Sequence, residues 1–230
     1  MSLEPHLAFF NSSLLGQPDC LEKIIFALQE KGYVLNGFYV GSYLEPDVNW
    51  DINSQSTQRG LEVAYDKHNL TFTVRNESEG FELFIQLDWN IDLDDGNRHA
   101  HIGAVTFQTG YFHSDEKTAV LYSRAFLDLG KHMFSLIQPD FGWIDLHEPA
   151  GSTWFDDVDR LSIPYVYWAN FFGEGYVTKY GIDNFLSSPA WLSEPLNDSG
   201  VLVVLSPILG LSNNVEQVKS YFDNMIDEFQ

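Results

Sequence analysis

His99 and His101, in the stretch HAHIGAVT, are the side chains best spaced for metal chemistry, with His113 downstream and Asp94 and Asp95 just before them. Residues two apart on a strand share a face, so two imidazoles there could reach one ion. A complete site needs further ligands, and the chain has no HExxH, no CxxC and no second tight histidine pair. The expectation is therefore two histidines at a strand start and no metal. DLDDGN, from Asp92 to Asn97, crowds carboxylates around a glycine as calcium loops do. The EF-hand register fails, because counting from Asn90 places Asp95 where the glycine belongs, and counting from Ile91 opens on a residue without an oxygen ligand. A solvated hairpin turn is expected there.

Nucleophilic chemistry has little to build on. There is no GxSxG elbow, and Cys20 stands at a helix start with no histidine base near it in sequence. GEG at 173–175 has neither the Walker lysine nor the dinucleotide spacing. Asp and Glu are so numerous that no spacing in sequence singles out an acid/base pair. These residues predict neither catalysis nor a cofactor.

The carboxylates matter as a population. The chain carries 33 acidic and 12 basic residues, a net charge of −21. Such a surface repels phosphate backbones and anionic headgroups, which argues against nucleic acid and membrane as direct partners. From Glu77 to Asp95 there are seven carboxylates and no basic residue (Glu77, Glu79, Glu82, Asp88, Asp92, Asp94, Asp95). Asp156, Asp157 and Asp159 follow Trp154 and Phe155 in a second acidic stretch. Rings beside carboxylates on a loop have the composition of a binding hot spot, where an aromatic anchor fills a pocket and the charge steers the approach. Asp92, Asp94, Asp95, Trp154, Asp156, Asp157 and Asp159 are accordingly the candidate partner-binding residues, and a basic protein the expected partner. The alternative is a solvated loop whose rings fold back into the core and whose charge only keeps the chain soluble.

The elements that would position these residues follow from periodicity. DCLEKIIFALQEK (19–31) reads as a helix with Asp19 and Glu22 at capping-box spacing and Gly32 ending it. YVLNGFYVGSYL (33–44) reads as a strand closed by Pro46, while 53–69 is ambiguous between helix and strand. LTFTVRN (70–76), FELFIQLDWNI (81–91) and HIGAVTFQTGY (101–111) alternate with period two across turn-forming links, a meander. Ser114 is positioned to cap a long helix running to Pro139. After it come a strand at 141–146, an acidic loop, a strand-like LSIPYVYWANFF, a short helix at 175–180, strands near 190–196 and 201–205, and a C-terminal helix capped by Asn213 or Asn214.

This order predicts an α+β protein, with antiparallel sheet packed against a long central helix and a C-terminal helix. A length of 230 residues suits one domain, and the element order leaves open a division into two lobes near residue 112. One cysteine, no apolar run of membrane-spanning length and no signal-like start predict a cytoplasmic protein.

WANFFGEGYVTKYG (168–181) sets rings between glycines. Gly173 and Gly175 permit a tight turn between a strand and a short helix, and Gly181 a left-handed cap, so Trp168, Phe171, Phe172, Tyr176 and Tyr180 read as packing residues. The order PDFGWIDL (139–146), PYVYWANFFGEGYVTKYG (164–181), FLSSPAW and GVLVVLSP (200–207) resembles bacterial immunity proteins of the "immunity protein 52" type or a neighbouring immunity family. The resemblance runs roughly from Leu121 to Leu211 and departs from the pattern at Glu174, where proline is common. It implies an α+β protein that neutralises a toxin delivered between competing bacteria, by binding rather than by catalysis, with no cofactor. A competing expectation is a small-ligand-binding or hydrolytic domain built on an aromatic pocket around Trp143, Trp168 and Tyr176, with His99 and His101 nearby.

Overall fold

The computed structural model describes residues 5–12, 14–17, 19–41, 46–50, 54–76, 81–89, 99–106, 115–146, 154–163, 165–196, 199–211 and 214–229; of these, 38–41, 46–50, 54–57, 81, 99–106 and 154–156 are described by backbone alone. The strands are β1 (His6–Phe10), β2 (Val34–Gly41), β3 (Pro46–Trp50), β4 (Asn69–Asn76), β5 (Phe81–Asp88), β6 (His99–Thr106), β7 (Phe141–Asp145), β8 (Ala169–Phe172), β9 (Leu192–Leu196) and β10 (Gly200–Val204). The helices are α1 (Cys20–Glu30), α2 (Ser54–Lys67), α3 (Glu116–Ile137), α4 (Trp154–Asp159), α5 (Glu174–Tyr180), α6 (Ile182–Leu186) and α7 (Val215–Glu228). The expected α+β class with a long helix and a C-terminal helix is what the chain adopts.

A ten-stranded sheet has the order β3-β2-β4-β5-β6-β1-β7-β8-β10-β9. Every pairing is antiparallel. β1 lies between β6 and β7, with Ala8 opposite both His101 and Trp143, so the first strand joins the meander of β2–β6 to the later strands. Side chains alternate across it: Leu7 and Phe9 enter one core cluster, Ala8 and Phe10 the other.

The first cluster packs Leu21, Ile24 and Leu28 of α1, Ala64 of α2 and Phe126, Met133 and Phe134 of α3 against Phe72, Ile85 and Phe171. The second packs Val158 of α4, Tyr176 and Tyr180 of α5, Phe185 of α6 and Phe222 and Met225 of α7 against Phe141, Trp143, Phe172 and Val203. β10 is therefore buried on both faces and reads as an unbroken apolar run, GVLVV.

Several local expectations are corrected. Asp19 occupies the α1 N-cap position with φ 68° and makes no side-chain cap bond, so the capping box does not form. The end of α1 behaves as expected: Gly32 has φ 85°, Gly32 N–H donates to Gln29 and Tyr33 N–H to Leu28, satisfying the last carbonyls. Pro46 opens β3 instead of closing β2, which a proline can do because β3 is an edge strand. The ambiguous stretch is helix α2. Asp115, not Ser114, caps α3, accepting from Thr118 N at 3.0 Å. Ser114 lies outside the described residues. Within the acidic loop six residues form α4, and among the described residues of LSIPYVYWANFF only Ala169–Phe172 are strand. Gly181 has φ 80° but ψ 136°, not the left-handed helical cap, and it leads directly into α6, which periodicity did not reveal. Asn214 stands at the α7 N-cap without a cap bond, its amide donating instead to Pro189 O at 3.1 Å. Among the described residues, no helix is long and apolar enough to cross a membrane.

Candidate partner-binding corner

Three neighbouring strands end together. Phe10 is the last residue of β1, Phe141 the first of β7 and Phe172 the last of β8, and they are in register across the ladder. The residues just beyond them, Asn11, Asp140 and Gly173, are thereby forced to one point. Asp140 N–H donates to Phe10 O at 3.0 Å and Gly173 N–H to Asp140 O at 2.7 Å. A Cβ on residue 173 would stand 2.1 Å from Pro139 O, so only glycine allows this approach. A Cβ at 175 would meet the Leu161 side chain at 3.0 Å and Asp140 Oδ1 at 3.4 Å. The glycines among the rings thus serve close packing of the start of α5 on Pro139 and Asp140, just before β7, and on Leu161 after α4.

Four carboxylates belong to this corner: Asp140 at the entry to β7, Asp157 and Asp159 of α4, and Glu174 in the first turn of α5. Asp140 and Asp157 are half-buried, Asp159 and Glu174 exposed. Asn11, at φ 58°, donates its amide to Asp159 Oδ1 at 3.0 Å and also bonds the Asp140 carboxylate. Burial pushes the Asp140 pKa up; the Asn11 bond opposes this, and the charges of Asp159 and Glu174 add to the rise. Tyr176 feels Asp140, Asp157 and Asp159 as well, although burial is the larger cause of its raised pKa. A half-desolvated carboxylate among like charges is the environment that a guanidinium or ammonium group would relieve. Among the described residues no group of three or more His, Cys, Asp or Glu is arranged to hold a metal ion.

Of the residues singled out from sequence, Asp157 and Asp159 come together here. Trp154 and Asp156 lie on α4 but are described by backbone alone, and Asp92, Asp94 and Asp95 lie outside the described residues. Asp140, Glu174 and Asn11 were missed, because only strand register brings them beside α4. Exposed carboxylates also occur elsewhere, including Glu22, Glu30, Asp66, Asp128, Asp223 and Asp227, so acidity is not confined to this corner.

The rings of 168–181 are core, as expected: Trp168 is 2% exposed, Phe171 and Phe172 0%, Tyr176 0% and Tyr180 1%. The competing aromatic pocket is not assembled from its three named rings. Trp168 joins the cluster under α1–α3, its Nε1 donating to Ser206 O at 3.0 Å, whereas Trp143 and Tyr176 join the cluster on the opposite face. Trp168 precedes β8 and shares its cluster with the adjacent Ala169, so strand alternation does not set its side; the break from regular strand before Ala169 does. His99 and His101 fall at the start of β6, in register with Asp88 and Gln86.

No family model matches this sequence, and no curated protein is significantly similar to it. Among solved structures the fold is similar to one described as "Pseudomonas aeruginosa T6SS protein PA0821", with a TM-score of 0.60 at 10% identity, covering 99% of this chain and 73% of that one. At that identity the likeness is one of fold.

Proposed function

We propose that this chain is a cytoplasmic immunity-type protein that binds and neutralises a basic bacterial toxin without catalysis. The observation that carries this reading is the net charge of −21, with carboxylates from β7's entry, α4 and α5 meeting at one corner. Toxins that act on nucleic acid present basic clefts, and an acidic surface of this strength would steer association and occlude such a cleft. The fold likeness to a protein described as belonging to a T6SS fits a toxin-related or immunity role. In this reading Asp157 and Asp159 receive the partner's basic side chains, with Trp154, Asp156 and the Asp92, Asp94 and Asp95 segment completing the contact.

The experiment is co-expression with the toxin encoded by a neighbouring reading frame, followed by titration calorimetry of the purified pair. Protection of the cells and an affinity that falls as salt rises are expected. Reversing charge at both segments (Asp92→Lys, Asp94→Lys, Asp157→Lys and Asp159→Lys together) should weaken binding by about a hundredfold, mostly through association rate. Unchanged affinity would remove the site, and absence of protection would remove the function.

A further inference from the structure

Three consecutive carbonyls leaving α4 are each taken by a side chain of α5. Lys179 Nζ donates to Arg160 O at 3.1 Å, Tyr180 Oη to Leu161 O at 2.7 Å and Tyr176 Oη to Ser162 O at 2.6 Å. Residues 176, 179 and 180 stand at i, i+3 and i+4, so one face of α5 presents all three donors. Both tyrosine rings are core, at 0% and 1% exposed, and Gly175 leaves the room in which Leu161 packs. The donors are therefore fixed, and the segment they hold is not fixed by itself.

α4 has six residues, fewer than an isolated helix needs to persist. Its continuation passes through Leu161 at φ 52°, a left-handed conformation that a branched side chain adopts only at a cost. Two turn bonds close it, Leu161 N–H to Val158 O at 2.9 Å and Ser162 N–H to Asp157 O at 2.8 Å. Val158, 2% exposed, anchors it in the core, and Asn11 holds Asp159. Against these, Asp159 and Glu174 both act on the half-buried Asp140 as like charges, and Asp157 adds to the negative field at Tyr176, so charge favours separation of the segment from the corner.

We propose that residues 154–162 form a separately opening unit, held closed by the three-point clamp from Tyr176, Lys179 and Tyr180 against carboxylate repulsion. The three are positioning residues: they set how much of the time α4 holds its acidic side chains in one arrangement. The use of that arrangement for a partner rests on the immunity reading; the clamp itself does not.

Amide hydrogen exchange on the full chain tests it without any partner. Tyr176→Phe combined with Tyr180→Phe keeps both rings and deletes both hydroxyls, leaving the carbonyls of 161 and 162 without those donors. Exchange of the Leu161 and Ser162 amides should accelerate about tenfold or more, while the Leu205 amide, bonded to Trp168 O at 2.8 Å, should not change. Lys179→Met, which leaves both rings and their hydroxyls in place, should accelerate the same two amides by a smaller factor. Unchanged exchange at 161 and 162 in the double variant overturns the proposal. So does acceleration of Leu205 in step with them, because the segment would then open only with the whole fold. A chain whose two amides respond as stated but which protects against no toxin keeps the clamp and loses the immunity reading.

Discussion

Asn11 donates its side-chain amide to Asp159 at 3.0 Å, tying the exit of β1 to a helix 148 residues further along the chain. Asn11 also lowers the Asp140 pKa through its side chain, so one neutral group serves two carboxylates of like charge. Asparagine suits the place twice, since it tolerates the left-handed backbone at φ 58° and supplies the donor.

The Asp140 carboxyl sets a pH dependence with a definite sign. Its pKa is raised in the folded chain, by burial first and then by Asp159 and Glu174, so the folded state holds this proton more tightly than the unfolded state does. Its contribution to stability is therefore greatest below the ordinary carboxylate pKa of about 3.9 and falls as pH rises through the raised value. Asp140→Asn removes that slope. Urea melts should show the variant more stable than the parent near pH 7, by roughly 0.5 kcal/mol or less because solvent still screens a half-buried group, with the advantage gone near pH 3.5. A variant less stable at pH 7 would mean the charge is satisfied by an attraction stronger than the Asn11 bond.

Gly173 and Gly175 should separate sharply. Alanine at 173 places its methyl 2.1 Å from a backbone oxygen and 3.0 Å from the Asp140 Cα, neither of which can turn away. The ends of β7 and β8 would have to part, at a cost of about 3 kcal/mol. Alanine at 175 meets the movable side chains of Leu161 and Asp140 and gains helix propensity, so its effect should be within about 1 kcal/mol of zero. Thermal melts of the two single variants, measured side by side, check the contrast.

Ser123 carries a single polar link through the core. Its hydroxyl donates to Ala119 O at 2.7 Å and accepts from Leu209 N–H at 2.8 Å, and the residue is 1% exposed. Ser123→Ala leaves the Leu209 N–H buried without that acceptor, a loss of about 1–3 kcal/mol. Denaturant titration measures it, and the Leu209 amide resonance should shift the most.

Cys20 should be silent to thiol reagents. It is 5% exposed, and burial pushes its pKa to about 11, with Lys23 pulling down and Glu22 pushing up by less. At pH 8 the thiolate is scarce and unreachable, so disulfide reagents should label the folded chain only at the rate at which α1 comes away from the sheet. Rapid labelling in native buffer would show that the α1 packing opens readily.

The amphipathic helices α1, α3 and α7 were legible because each presents one apolar stripe to the sheet, and the β4–β6 meander because its turns and alternation agree. α4 was hidden because six residues carry too little periodicity, and α6 because Gly181 reads as a stop. Pro46 misled for a related reason: its effect depends on whether the strand has a neighbour on both sides, which a single segment does not reveal. The corner was half legible. Asp157 and Asp159 stand out by clustering, but Asp140, Glu174 and Asn11 are ordinary until Phe10, Phe141 and Phe172 are aligned. The three rings of the proposed aromatic pocket fall in two clusters because Trp168 stands just before β8, where the backbone is not yet strand and alternation gives no guide to its side.

Because β1 lies between β6 and β7, it leaves the ribosome with no partner until much later segments have been made. It must wait unpaired, or bind something transiently, while the rest of the chain emerges. Joining the two halves of the sheet is then a late event in synthesis, and anything fused close to His6 must leave that gap open for the strand to enter.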